Sequence, residues 1–248
     1  NPKIIRISYF TDVEGDASYL DRFVNQSHVL AFAPSTNKKD NYTESFYDKH
    51  IVFQEKSEDD VTSMLVFGGD VSDKGGSDLY VLRQLLSLHH RYPQQVKFIL
   101  GNRDINKMRI WPELKQLSEE EEQKSAVFWH KTKSNNHTSS TLVDRLKWML
   151  SKTMGSPDAF EFRKEELSKE QQQQQVTEND VVQSYMETCR PEGMRASFTD
   201  LTSIGEENHG LMTQYLNSAN IMCKIGSILF LHGALPSPPA TTKDESIQ

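Results

Sequence analysis

Four short polar motifs each follow directly after an apolar, strand-like run of the sequence. Their candidate functional side chains are Asp12 and Glu14 in the first motif, Asp70 in the second, Asn102 in the third and His232 in the fourth. Polar residues that follow buried strands collect at the edge of an α/β sheet where ligands bind. Carboxylate, amide and imidazole groups that converge there are typical metal ligands. The pattern therefore predicts an enzyme with a metal site at the sheet edge.

The elements that must position these motifs are strands and one connecting helix. The strand-like runs cover residues 4–10, 64–67, 96–100 and 228–231. Leucines at helical spacing predict a helix over residues 76–92, and Pro93 ends it. Residues 64–100 therefore form a strand, helix, strand unit, and such a crossover implies that its two strands are parallel.

The rest of the chain is predicted to be mostly helical. A helix is expected over residues 17–29, a loop over 33–49 and a short strand over 51–53. In residues 112–217, helices are predicted from a capping box at Ser118, over 142–150, from Pro157 towards glutamines 171–175, over 181–188 and over 210–216. Residues 221–231 are typical of a hairpin, with a turn at Gly226, which delivers His232.

The composition is that of an ordinary globular protein. The 248 residues are 36% hydrophobic and 25% charged, which is enough for one substantial core. The formal net charge of -7 argues against a general nucleic-acid binder, because such proteins are normally basic. No apolar run approaches the roughly 20 residues that span a bilayer, and two cysteines make no disulfide framework. With no secretory signal in view, a cytoplasmic protein is expected.

The four motifs, in this order, resemble those of the calcineurin-like metallophosphoesterases, and most of all the phosphoprotein phosphatase branch. That branch has G-D-x-H-G, G-D-x-V-D-R-G, G-N-H-E and H-G-G-L, where this sequence has T-D-V-E-G, G-D-V-S-D-K-G, G-N-R-D and H-G-A-L-P. The resemblance covers about residues 4–29, 64–110 and 220–236. It implies an α/β fold, a β-sandwich flanked by helices, made by residues 1–111 and 218–248. Residues 112–217 would then be a large helical insertion, which could bind a partner protein.

The resemblance also implies a function and two divalent metal ions. The ions would be Mn²⁺ first, with Mg²⁺, Fe, Zn²⁺ or Ca²⁺ as alternatives, and a hydroxide bridging them would attack the phosphorus of a phosphate monoester on a protein or a small molecule. Asp12 would bind the first ion, Asp70 would bridge both, and Asn102 and His232 would bind the second. Glu14 stands where the family has a histidine on the first ion, and a carboxylate there favours harder cations.

Three departures from the family pattern change the expected chemistry. Lys74 replaces an arginine that contacts phosphate, a role that Asn102 would share. Arg103 replaces the histidine that pairs with Asp73 and protonates the leaving group. An arginine can bind phosphate or form an ion pair with Asp73, but it cannot act as a general acid. After His232 the sequence has no counterpart of the family's last metal histidine or of another phosphate-binding arginine. Either the sequence is a piece of a longer protein or the second ion is weakly held. A piece of a longer protein is the favoured explanation.

Two alternatives to a phosphate monoesterase follow from these departures. One is a phosphohydrolase that acts on a nucleotide phosphoanhydride, such as a dinucleoside polyphosphate, whose leaving group needs little protonation. The other is a pseudophosphatase that only binds phosphate or a partner.

Two charged residues close to the third motif are predicted to have other roles. Asp104 is predicted to hold a loop rather than a metal, and Lys107 is predicted to lie on a solvated face.

Overall fold

The computed structural model describes residues 4–34, 49–54, 61–119, 141–170, 175–191 and 210–235. The strands are β1 (Ile4–Phe10), β2 (Leu30–Pro34), β3 (Lys49–Phe53), β4 (Val61–Phe67), β5 (Val96–Ile99), β6 (Ala219–Asn220), β7 (Met222–Ile225) and β8 (Ile228–Leu231). The helices are α1 (Ala17–Gln26), α2 (Asp78–Arg91), α3 (Asn102–Asn106), α4 (Ile110–Glu119), α5 (Leu142–Trp148), α6 (Ala159–Glu170), α7 (Glu178–Thr188) and α8 (Leu211–Ser218). A 3-10 turn over Lys107–Arg109 joins α3 to α4, and a π-helical turn over Met149–Thr153 follows α5.

The central sheet is parallel and has the strand order β1-β4-β5-β6. Phe10 pairs with Phe67, so β1 and β4 end level with each other. The predicted crossover unit is present, because β4 leads through α2 to the parallel strand β5. Parallel strands present their carboxyl ends at one edge, so the residues that follow β1, β4 and β5 lie side by side. The predicted α/β class is confirmed at this level.

Helix α2 packs against the sheet because its apolar residues recur at helical spacing. Leu79, Leu82 and Leu85 are fully buried. The helix begins after Ser77 and ends at Arg91, one residue before Tyr92. Pro93 follows, and a proline disfavours helical backbone at the residue before it. The helix therefore has nearly the predicted bounds.

The chain after α1 differs from the prediction, because Ser27 ends the helix early. Its hydroxyl oxygen accepts hydrogen bonds from the amides of Val29 and Leu30, both at 3.0 Å. A serine that bonds nearby amides in this way competes with helical hydrogen bonding. Strand β2 then begins at Leu30 and pairs antiparallel with β3. The loop predicted over residues 33–49 is therefore wrong at residues 33, 34 and 49, which lie in β2 and β3. Residues 35–48 lie outside the described part.

The predicted hairpin at the C-terminal end is present. β7 and β8 pair antiparallel, with Ile225 opposite Ile228. Gly226 has a φ of 60° in the turn between them, a backbone conformation that glycine adopts without strain. The hairpin contacts the central sheet through the rings of Phe230 and Tyr9, whose centroids are 5.5 Å apart. This contact brings His232 to the end of the parallel strands.

The helical region shares one core with the sheet. Buried residues of the later helices, such as Leu146, Phe160 and Tyr215, belong to the same apolar cluster as Phe67 and Leu82. The helices predicted over 142–150, 181–188 and 210–216 are all present. The helix predicted from Pro157 begins two residues later, as α6 at Ala159. Ser118 instead lies inside α4, so the predicted helix start there is wrong, and residues 120–140 lie outside the described part. Within the described residues, no helix has the length and apolar character to cross a membrane.

Candidate metal centre

The loops after β1 and β4 are joined by backbone hydrogen bonds that continue the strand pairing. The amide of Asp12 donates to the carbonyl of Gly69 at 2.9 Å, and the amide of Glu14 donates to the carbonyl of Asp70 at 3.0 Å. Among described residues other than glycine, positive φ occurs at Asp12 (54°), Glu14 (48°), Asp70 (55°) and Asp73 (103°). Such left-handed backbone costs about 1–3 kcal/mol per residue and clusters at functional sites. The two motifs therefore hold their carboxylates in a strained, fixed arrangement.

Two glycines allow the loops after β4 and β5 to approach closely. A Cβ atom on Gly101 would lie 2.0 Å from Oδ1 of Asp70. A Cβ atom on Gly69, whose φ is 102°, would lie 2.5 Å from the amide nitrogen of Gly101 and 3.0 Å from Nδ1 of His232. Larger residues at either position would displace the groups around Asp70.

Asp104 clamps these two loops together, as the sequence predicted. Its carboxylate is fully buried and accepts hydrogen bonds from the amides of Asp70 (3.0 Å), Val71 (3.0 Å) and Gly101 (2.8 Å). The hydroxyl of Tyr215 lies 3.2 Å from Oδ2. Burial raises the pKa of Asp104 to about 6, although the three amide donors lower it. Every oxygen of this carboxylate is therefore used to hold the backbone.

Asp12, Asp70 and His232 form the candidate metal centre. One ligand atom from each side chain lies within 4.8 Å of the other two. Nε2 of His232 is 3.7 Å from Oδ2 of Asp70. Asp12 is exposed, Asp70 is buried and His232 is partly buried, so the group is open to solvent on one side. These are three of the five ligands expected from the sequence.

The hydrogen bond of His232 orients the imidazole for metal binding. Its Nδ1 lies 2.8 Å from the carbonyl oxygen of Gly68. A carbonyl oxygen can only accept, so Nδ1 carries the proton, and in the neutral ring Nε2 then has the free lone pair. That lone pair is on the nitrogen that lies near Asp70. Metal-binding histidines are commonly held in this way by a backbone carbonyl.

The electrostatics around Asp70 are those of a buried carboxylate that needs a positive partner. Burial raises its pKa, and the neighbouring carboxylate of Asp12 raises it further. The backbone N–H of Arg103, which donates to Oδ1 at 3.0 Å, and the charges of His232 and Arg103 lower it. A cation bound between Asp12 and Asp70 would oppose both effects that raise the pKa.

Glu14 lies beside this group but its carboxylate faces two basic side chains. Its Oε1 is 2.7 Å from Nζ of Lys74 and 3.0 Å from Nε of Arg103. The same Nε of Arg103 is 3.7 Å from Oδ2 of Asp70. Nη1 of Arg103 donates to the carbonyl of Met154 at 2.9 Å and to Oγ of Ser156 at 2.6 Å. Arg103 and Lys74 are therefore both at the site, as predicted, and Glu14 is their common partner.

Asp73 does not pair with Arg103, contrary to one expectation from the sequence. Its carboxylate forms a buried ion pair with Nζ of Lys107, and Lys107 also lies 3.5 Å from Sδ of Met154. Lys107 is 2% exposed, so the prediction that it lies on a solvated face is wrong. Its burial depends on residues distant in sequence, and only the i, i+3 spacing from the buried Asp104 could have indicated it.

Asn102 is the first residue of α3 and directly follows Gly101 at the sheet edge. Its side chain is exposed. The structure therefore places it at the end of β5, beside the loop that carries Asp70, as the sequence predicted for a group at this edge.

The chain was compared with protein-family models, with curated proteins and with solved structures. No family model, no curated protein and no solved structure matches the chain.

Proposed function

We propose that this protein hydrolyses a phosphate ester with the help of a divalent cation bound by Asp12, Asp70 and His232. The observation that carries the proposal is the convergence of these three side chains within 4.8 Å at the carboxyl edge of a parallel sheet. The four motifs that surround them support a metallophosphoesterase fold. Mn²⁺ is the first candidate for the bound ion, and a phosphoprotein or a small phosphate ester is the candidate substrate.

The three side chains fit a divalent ion. Such ions bind oxygen and nitrogen ligands at about 2.0–2.2 Å, so ligand atoms on opposite sides of an ion are about 4.2 Å apart. The observed separations of up to 4.8 Å need only a small contraction. Two carboxylates with one imidazole suit Mn²⁺, Mg²⁺, Fe or Zn²⁺. When bound, the ion would lower the pKa of a water molecule and stabilise negative charge on the phosphoryl group.

The basic side chains of the site would bind the phosphate. Nε and Nη1 of Arg103 are engaged with Glu14, Met154 and Ser156, and Nη2 has no hydrogen-bond partner in the described part of the chain. A guanidinium fixed on one side can donate from the other to a phosphoryl oxygen at little entropic cost. Lys74, whose side chain is 50% exposed, would add a second positive charge at the rim.

The same residues favour substrates with a stable leaving group. Arg103 stands where a proton donor would be expected, and a guanidinium group is not a general acid. The carboxyl group of Asp104, with a pKa of about 6, is buried and used by three amides. A second candidate function is therefore hydrolysis of a phosphoanhydride, such as that of a nucleotide, because its leaving group needs no proton from the protein.

The test is hydrolysis of an aryl phosphate with and without added Mn²⁺. We expect Mn²⁺-dependent turnover in the wild type and its loss, by at least about 100-fold, in Asp70→Asn, because one oxygen ligand is replaced by a neutral amide. The amide oxygen can still accept the hydrogen bond from Arg103, so the fold should be retained. Asp158→Asn, at an exposed position, is the matched control. Folded wild type without turnover would refute the proposal and favour a phosphate-binding pseudophosphatase.

A comparison of substrates separates the two candidate functions. The wild type would be assayed with an alkyl phosphate, an aryl phosphate and a nucleoside triphosphate under the same Mn²⁺ concentration. Without a proton donor, rates should fall steeply as the leaving group becomes more basic. Equal rates on alkyl and aryl phosphates would show that another group donates the proton.

A further inference from the structure

We propose that the guanidinium of Arg103 takes the place of a second metal ion, so that the site binds one divalent cation beside a fixed arginine. This inference rests on the proposed function, because it concerns the same metal centre. It departs from the pair of ions expected from the sequence. The evidence for a single ion is the set of contacts that Glu14, Arg103 and Asp70 make.

The negative charge of Glu14 is already balanced by two basic side chains of the protein. Its Oε1 lies within 3.0 Å of both Lys74 and Arg103. Lys74 and Glu14 are held close by their backbones as well, because the amide of Lys74 donates to the carbonyl of Glu14 at 2.8 Å. An ion that bound Oε1 of Glu14 would have to displace both basic groups, and one on the other oxygen would lie beside two positive charges. Glu14 is also not among the side chains that converge on the metal centre.

Arg103 is built into the site rather than mobile at its rim. Two donors of the guanidinium are held by the carbonyl of Met154 and the hydroxyl of Ser156. Ser156 is 2% exposed and the side chain of Arg103 is 14% exposed. Its backbone N–H donates to Asp70. The positive charge therefore has a fixed position, as that of a bound ion does.

Asp70 is shared between the arginine and the metal centre. Its Oδ2 lies 3.7 Å from Nε of Arg103 and 3.7 Å from Nε2 of His232. In a two-metal site, one carboxylate bridges two cations. Here the same carboxylate lies between a guanidinium and the place of one ion, which gives the bridging carboxylate one positive neighbour on each side.

The charges of the site agree with a single ion. Asp12, Glu14 and Asp70 supply three negative charges, and Lys74 and Arg103 supply two positive charges. One divalent ion leaves a small positive surplus, which suits a phosphate dianion. An additional ion on Glu14 and Asp70, beside the one held by Asp12, Asp70 and His232, would face the guanidinium within a few ångströms in a partly buried site, where repulsion between like charges is strong.

The experiment counts the bound ions. Protein stripped with a chelator would be titrated with Mn²⁺ by calorimetry, and the loaded protein would be examined by electron paramagnetic resonance. We expect one Mn²⁺ per chain and the spectrum of an isolated ion. Two tightly bound ions with a spin-coupled spectrum would overturn the inference but leave the proposed function in place. No bound Mn²⁺ would overturn both.

Variants test the part given to Arg103. Arg103→Gln removes the charge, and we expect it to raise the stoichiometry from one ion to two, because Glu14 and Asp70 lose a positive partner. Arg103→Lys keeps a charge and should still bind one ion. Arg109→Gln, at an arginine that pairs with Glu113 instead, is the matched control and should bind one. A single ion in Arg103→Gln, with the fold retained by circular dichroism, would overturn the role given to the arginine.

Discussion

Replacement of Lys107 by methionine should destabilise the protein strongly. Lys107 and Asp73 are each 2% exposed and form an ion pair. Methionine fills a similar volume, and the neighbouring side chain of Met154 offers it an apolar contact. The carboxylate of Asp73 would nevertheless remain buried without its cation. Loss of one partner from a buried pair costs about 3–5 kcal/mol, so we expect the free energy of unfolding to fall by about 4 kcal/mol.

The assay is urea unfolding together with a thermal melt. For a chain of this length, 1 kcal/mol corresponds to about 2–4 °C, so the Tm of Lys107→Met should fall by roughly 12 °C. A second substitution, Asp73→Asn, isolates the cause. Asparagine tolerates the positive φ of this position as well as aspartate does. The double variant leaves no unpaired charge at this position, and we expect it to recover about 2–3 kcal/mol relative to Lys107→Met alone.

This reasoning would be refuted if the changes in unfolding free energy caused by the two substitutions simply added in the double variant. If the effects of Lys107→Met and Asp73→Asn add within about 0.5 kcal/mol, the two groups are not coupled. A loss below about 1 kcal/mol in Lys107→Met would show that Asp73 is hydrated or neutral in the native protein. Activity provides a second measurement, because Asp73 lies in the loop that carries Asp70.

Two further predictions concern buried carboxylates. Asp104→Asn should lower the free energy of unfolding by about 3 kcal/mol in urea, since an amide nitrogen would face one of the backbone donors around Asp70, and a loss below about 1 kcal/mol would contradict the clamp. Burial and the charge of Asp78 raise the pKa of Glu166 to about 7, although the charge of Arg163 lowers it. The native protein therefore keeps a proton that the unfolded chain, with a pKa of about 4.3, loses first. The free energy of unfolding should consequently fall by up to about 4 kcal/mol as the pH rises from about 4.3 to about 7. Urea unfolding at pH 5 and pH 7.5 should show a larger fall in the wild type than in Glu166→Gln, where Asp104, with its pKa raised to about 6, still contributes. Equal falls in both would contradict the role given to Glu166.

The motif residues were predictable because they follow their strands directly. A residue two or three positions past a parallel strand has almost no choice of location, so Asp12, Asp70 and Asn102 could be placed at one sheet edge from the pattern alone. The hairpin that carries His232 was predictable for the same reason, since a two-residue turn at Gly226 fixes its geometry. The role of Asp104 followed from its place beside these groups.

The partners of the charged residues were not predictable in this way. Lys107 was expected in solvent, and its burial against Asp73 depends on the segment around Met154. Glu14 was expected to bind a metal, whereas its nearest neighbours are Lys74 and Arg103. The sequence states which charges are present, but a side chain as long as lysine or arginine can reach several partners. Which one it meets depends on the packing of distant elements.

The sequence by itself therefore determined the α/β class, the parallel crossover and the edge at which the polar motifs meet, because strand periodicity and crossover topology are local properties of the chain. Only the tertiary structure decided which of the motif side chains converge as a metal centre and which neutralise one another. It brought Met154 and Ser156 against Arg103 across about 50 residues of intervening chain, and buried Lys107 against Asp73. Those contacts fix the positions of charges within a site, and their energies vary steeply with distance and burial.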